Sequence, residues 1–142
     1  MQLGRITAVT ITSPDLDRVI DIYSKYLNYN FVSSTRVNAH QAKSWNAPNI
    51  ENSEMIHMSP EDSNDFFFRF VEQNIDSSYV PFGTYGWNAA ELIVRDVDKS
   101  ATRIMDSPFE IIGEPADLSF TDQIRAMQIM GPSKEVLYLV YF

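Results

Sequence analysis

Apolar and polar residues alternate along Ile6-Thr7-Ala8-Val9-Thr10-Ile11-Thr12, the period of a half-buried β-strand. The spacing then changes. Leu16, Val19, Ile20, Tyr23, Tyr26 and Leu27 recur at helical intervals and form one apolar stripe. Ser13 suits the N-cap of that helix and Pro14 its first turn. Asn28 to Asn30 reads as a turn and Phe31 to Val37 as a second strand. Asn38 to Ser53 is mostly polar, with Trp45 and Pro48 inside it, and is predicted to be an ordered loop. A short strand over Glu54 to Met58, a turn over Pro60 to Asp65 and a strong strand over Phe66 to Glu72 follow. The run Phe66-Phe67-Phe68 reads as a strand buried on both faces.

Gln73 to Gly86, with Pro81 and Gly83, reads as a connection, and the pattern then starts again. Trp87 to Val94 is a strand. Asp96 caps a helix whose apolar face is Val97, Ala101, Ile104 and Met105. Phe109 to Gly113 and Ile124 to Met130 are strands on either side of a loop over Glu114 to Asp122. Gly131-Pro132-Ser133-Lys134 supplies a turn, and Glu135 to Phe142 a closing strand. Each half therefore reads as β-α-β-β-β. The two share a strand running into Asp-x-Asp and a helix, as Asp15-Leu16-Asp17 and Asp96-Val97-Asp98. A single domain of 142 residues built from a duplicated module is expected, module one about 1–75 and module two about 84–142.

Composition narrows the function. A chain of 142 residues, 44% of them hydrophobic, supports a packed core. The net charge of −8, with no Lys/Arg cluster, argues against nucleic acid and anionic membranes as partners. The absence of cysteine excludes disulfides, thiolate metal sites and a cysteine nucleophile. No apolar run approaches the roughly 20 residues that span a bilayer, and no signal pattern opens the chain, so a soluble cytoplasmic protein is expected.

The order of these segments resembles the vicinal oxygen chelate superfamily, the glyoxalase, bleomycin-resistance and dioxygenase group. The residues that carry the resemblance are Ser13-Pro14-Asp15-Leu16-Asp17-Arg18 with Tyr23 and Leu27-Asn28-Tyr29-Asn30-Phe31 in the first half. In the second half they are Val94-Arg95-Asp96-Val97-Asp98 and Gly131-Pro132-Ser133-Lys134-Glu135-Val136-Leu137-Tyr138-Leu139. The resemblance implies an α+β fold: two βαβββ modules forming curved mixed sheets around a cavity. It also marks four metal-ligand positions, on the first and fourth strands of each module, and these fall on Ala8, Arg69, Ala89 and Tyr138. Alanine has no donor atom, arginine is a fixed cation, and a neutral tyrosine is a poor ligand. The only histidines, His40 and His57, lie in one module. No metal and no other cofactor is expected.

Strand alternation under that fold sends Val9 and Ile11 toward the module's helix and leaves Ala8, Thr10 and Thr12 on the cavity side, with Phe67, Arg69 and Val71 from the fourth strand. In module two it leaves Ala89, Glu91 and Ile93, with Val136, Tyr138 and Val140. Glu91, Arg69 and Tyr138 are the candidate catalytic residues. Glu91 is either a base, if partly buried, or a structural ion pair with Arg69, or a residue at a sheet edge. Arg69 is either a clamp for a substrate carboxylate or enolate or a member of that pair. Tyr138 is either a hydrogen-bond donor to substrate or a cavity-filling ring. Thr10, Thr12, His57, Phe67, Gln128 and Trp87 are candidate substrate-binding residues; His57 is either an acid–base partner or a packing or surface residue, and Gln128 either a pocket hydrogen-bonder or an outward-facing strand residue. Trp45, Tyr79, Phe82, Tyr85 and Trp87 either line a mouth for a flat ligand or belong to a dimer interface or satellite core.

Two function classes remain open. One is a metal-independent lyase or isomerase acting by acid–base chemistry on a small, largely apolar carbonyl compound. The other is a sequestration protein of the drug-resistance kind, which the resemblance allows without a metal; an accessory domain with a decayed pocket is a third possibility. A homodimer with a small-molecule ligand is expected in the first two.

Overall fold

The computed structural model describes residues 3–142. The chain divides into two compact units, the first ending at Asp76 and the second starting at Ser77. The first holds β1 (Ala8–Ser13), α1 (Leu16–Leu27), β2 (Tyr29–Arg36), α2 (Ala39–Ser44), a 3-10 turn at Pro48–Ile50, β3 (Glu54–Pro60) and β4 (Phe67–Glu72). The second holds β5 (Ala89–Ile93), α3 (Val97–Met105), β6 (Glu110–Leu118), β7 (Thr121–Met130) and β8 (Val136–Tyr141). Each unit is one four-stranded mixed sheet, ordered β1-β4-β3-β2 and β5-β8-β7-β6. In each the first strand lies parallel to the last and the other pairs are antiparallel. The chain is thus α+β, with one topology used twice.

One helix covers one face of each sheet. On α1, Leu16, Val19, Ile22 and Tyr23 are buried. The Tyr23 ring packs edge-on against Phe70 at 4.9 Å and Phe68 at 5.8 Å, centroid to centroid. On α3, Val97, Ala101 and Ile104 are buried, and Leu137 and Leu139 of β8 are fully buried. Met105, expected on that apolar face, is 72% exposed instead, at the last residue of the helix.

The helix starts show why Asp-x-Asp recurs. Asp15, not Ser13, is the N-cap of α1, and its carboxylate accepts from Arg18 N at 2.9 Å. Asp96 caps α3 in the same way through Lys99 N at 3.0 Å. A carboxylate satisfies a first-turn amide and opposes the helix dipole, so it outcompetes a hydroxyl two residues earlier. Ser13 stays in β1 and its Oγ accepts from Asp15 N, so Pro14 precedes the cap rather than entering the helix. Asn28 ends α1 in the left-handed region, at φ 58°.

Two predicted loops are structured. Residues 38–53 contain α2 and the 3-10 turn, because Asn38 and Gln41 form a capping box. Ala42 and Ile50 of this segment pack with Val37, Met55 and Val71 into a second small core, against which Trp45 and Ala47 lie. In the second unit β6 continues to Leu118 and β7 begins at Thr121, leaving a turn of two residues. Cross-strand pairs Ala116↔Ala126 and Asp117↔Arg125 hold the extension. Pro115 is tolerated there because β6 is the outer strand. Of Phe66-Phe67-Phe68, only Phe68 is fully buried.

Candidate functional site

Because α1 takes the Phe68 and Phe70 side of β4, alternation turns Phe67 and Arg69 to the other face of the sheet. Register then lines up a row across all four strands: Thr10 of β1, Arg69 of β4, His57 of β3 and Ser33 of β2. The row is bonded along its length. Arg69 Nε donates to Thr10 Oγ1 at 2.9 Å, and Ser33 Oγ and His57 Nδ1 share a hydrogen bond at 3.2 Å. Thr12, one step along β1, is exposed on the same face.

Aromatic rings flank the row. The Arg69 guanidinium carbon lies 4.7 Å from the Trp45 ring centre and 5.8 Å from that of Phe67. Phe67 in turn meets the His57 ring at 5.2 Å. Trp45 reaches this place because the segment containing α2 folds over the end of the same face. Among the described residues of this unit, no carboxylate lies within ion-pair reach of Arg69. Burial draws its pKa down from the usual value, though a guanidinium remains a cation at any working pH. Burial first, and the Arg69 charge second, hold His57 below its ordinary value of 6.5, so its imidazole is neutral at neutral pH.

The second unit carries the equivalent row. Glu91 of β5 pairs with Tyr138 of β8, and Tyr138 with Gln128 of β7. Glu91 is exposed and Tyr138 and Gln128 are half-buried. Gln128 lies over Gly113 of β6, where an added Cβ would come within 2.8 Å of its Oε1. Trp87 is not brought into this row: it precedes β5 and is 95% exposed. Tyr85, beside it, is also fully exposed. His40 is exposed on α2 and is not part of the row.

The marked ligand positions do not fit a metal. Ala8 and Ala89 offer no donor, and Arg69 is a cation tied to Thr10. Among the described residues, no three His, Asp or Glu side chains come together as a metal site. Among the described residues no helix is long and apolar enough to cross a membrane.

No family model and no curated protein sequence matches this chain. Solved structures do. A glyoxalase family protein from Bacillus cereus superposes with a TM-score of 0.74 at 18% identity, over 99% of this chain and 95% of that one. A member of the glyoxalase/bleomycin resistance protein/dioxygenase superfamily from Sphaerobacter thermophilus DSM 20745 gives 0.60 at 16% identity, over 99% and 98%. This chain has the glyoxalase/bleomycin-resistance/dioxygenase fold. TnmS3, an antibiotic binding protein from Streptomyces sp. CB03234, shares it with a TM-score of 0.65 at 15% identity, over 99% of this chain and 98% of that one.

The sequence pointed to Thr10, Arg69, His57 and Phe67 one by one, and the first unit brings them together. Ser33 was missed. Its place opposite His57 depends on a register shift between Phe31 and Ser33 that no sequence periodicity shows. The sequence leaves Trp45 open between a mouth residue and an interface or satellite-core residue; it packs against the small second core, and its stacking on Arg69 follows from the unforeseen helix α2.

A pH dependence follows from His57. Its pKa is lowered on folding, so below 6.5 the unfolded chain takes up a proton that the native state resists, and stability falls as pH drops through that window. Above 6.5 the residue contributes no slope. Urea unfolding between pH 7.5 and 5 is expected to show this decline, and His57→Gln to flatten it; an unchanged slope in the variant would remove His57 as its source.

Proposed function

We propose that this chain binds a small organic molecule with a flat, largely apolar body and one anionic oxygen group, anchored by Arg69 on the open face of the first unit. The observation that carries this is the meeting of an uncompensated guanidinium with two aromatic rings. A partly desolvated guanidinium without a carboxylate gains a charge-assisted pair from a bound carboxylate or enolate. Trp45 and Phe67 offer apolar surface for the body of the ligand, and Thr12 and Ser33 add hydroxyl groups beside it. Thr10 accepts from Arg69 Nε and orients the guanidinium, which leaves its terminal nitrogens for the ligand. That TnmS3, which has the same fold, is an antibiotic binding protein supports the binding reading.

A second reading, a metal-independent lyase or isomerase, is favoured by the state of His57. A neutral imidazole in the row beside a guanidinium pairs a base with a stabiliser of negative charge. His57 would take the proton α to a carbonyl, and Arg69 would hold the oxygen of the enolate that forms. In the second unit Glu91 is exposed and lacks the burial that would make it a base, while the half-buried Tyr138 and Gln128 would be hydrogen-bonding partners of the substrate.

Titration with 2-naphthoate, followed by calorimetry, tests the anchor. The expected result is saturable binding that Arg69→Gln weakens by about tenfold or more, as the loss of a charge-assisted pair implies. Equal affinity in the variant would contradict the assignment. Proton exchange of 2-naphthylacetone in D2O separates the two readings: exchange catalysed by the native chain and lost in His57→Gln supports the enzyme, and exchange at the buffer rate supports binding alone.

A further inference from the structure

In the second unit one arginine ties the helix to the sheet. Arg125 of β7 makes two parallel bonds to Asp98 of α3, Nε to Oδ2 and Nη2 to Oδ1, each 2.8 Å. Its Nη1 meets Asp117 Oδ1 of β6 at 3.0 Å. The first unit has the same frame with different charges. Asp15 and Asp96 are the two helix caps, which makes Asp17 the equivalent of Asp98. His57 pairs with Arg69 where Gln128 pairs with Tyr138, so three residues back along each strand Glu54 is the equivalent of Arg125. Arg36, the register partner of Glu54, stands for Asp117. The pair on the sheet is inverted but the aspartate on the helix is kept, so Asp17 faces a glutamate. Arg36 does not restore the bridge, since its Nη1 donates to Asn52 O at 2.7 Å.

At this place the first unit has a groove of about 360 Å3, bordered by Asp15, Asp17, Glu54 and Glu72 with Ile20 and Ile56 on its apolar wall. Ser34 Oγ donates to Glu54 Oε1 at 2.8 Å and fixes that carboxylate. Among the described residues none of the four carboxylates forms an ion pair, and no three of them converge on a point as a metal ion requires. The cavity and the arginine that the repeat places there are independent of each other, and both describe a cation larger than a metal ion. We infer that this groove binds a small alkylguanidinium, its head between Asp17 and Glu54 and its alkyl stem along Ile20 and Ile56. The groove lies on the helix side of the sheet, opposite Arg69, and stands apart from the function proposed above.

The test is a 1H–15N NMR titration of the full chain with butylguanidinium at low salt, with 1-pentanol as a neutral control. Saturable shifts at Ile20, Ser34 and Ile56 are expected, with a Kd of about 1 mM or tighter. Asp17→Asn and Glu54→Gln should each weaken binding by about tenfold. Glu54→Arg rebuilds the arrangement of the second unit and should abolish the shifts while raising the melting temperature. Shifts that never saturate, that 1-pentanol reproduces, or that persist in Glu54→Arg would overturn the assignment. Should Glu54→Arg fail to fold, full binding by both neutral variants would overturn it equally.

Discussion

Tyr23 seated against Phe68 and Phe70 is the contact on which the first unit turns. It decides which face of the sheet is core. Once α1 has taken that face, a strand period of two leaves Phe67 and Arg69 no choice but the other one. The second unit repeats the device with aliphatic residues. Ile104 holds the place of Tyr23, and Leu137 and Leu139 those of Phe68 and Phe70, all fully buried. Tyr138 is then turned outward as Arg69 is. A helix on one side of each sheet thus lays out a row of functional groups on the other.

The two faces of the first sheet differ in chemistry. The open face concentrates positive charge at Arg69 and keeps His57 neutral beside it. The helix face gathers carboxylates around the start of α1, where the helix dipole favours them. One sheet only a few ångströms thick therefore separates a face that carries a guanidinium from one that gathers carboxylates. Such a division suits a chain whose net charge of −8 would by itself repel anions, because a local guanidinium flanked by low-dielectric rings outweighs distant, screened charge.

Much of this was legible in the sequence. Alternation over residues 6–12 and the stripe from Leu16 to Leu27 fixed the strand, the helix and their facing sides, and the second Asp-x-Asp announced the repeat. From that parity alone Thr10, Arg69 and Phe67 fall on one face. What stayed hidden depends on contacts between distant segments. The polar stretch from Asn38 folds because Ala42 and Ile50 find Met55 and Val71, which no local pattern shows. Residues 114–118 look like a loop until the Arg125 clamp on Asp117 is known. Local pattern leaves Glu91 open between a partly buried base, an ion pair and a sheet-edge residue; it lies on an outer strand and is exposed.

The most direct measurement is the NMR signal of the Arg69 Nε–H in the native chain. Held by Thr10 and stacked on Trp45, it is expected to exchange slowly with water, to move on addition of an aromatic carboxylate, and to lose its protection in Thr10→Val. An Nε–H that exchanges as fast as that of an exposed arginine, and that no carboxylate moves, would contradict the account.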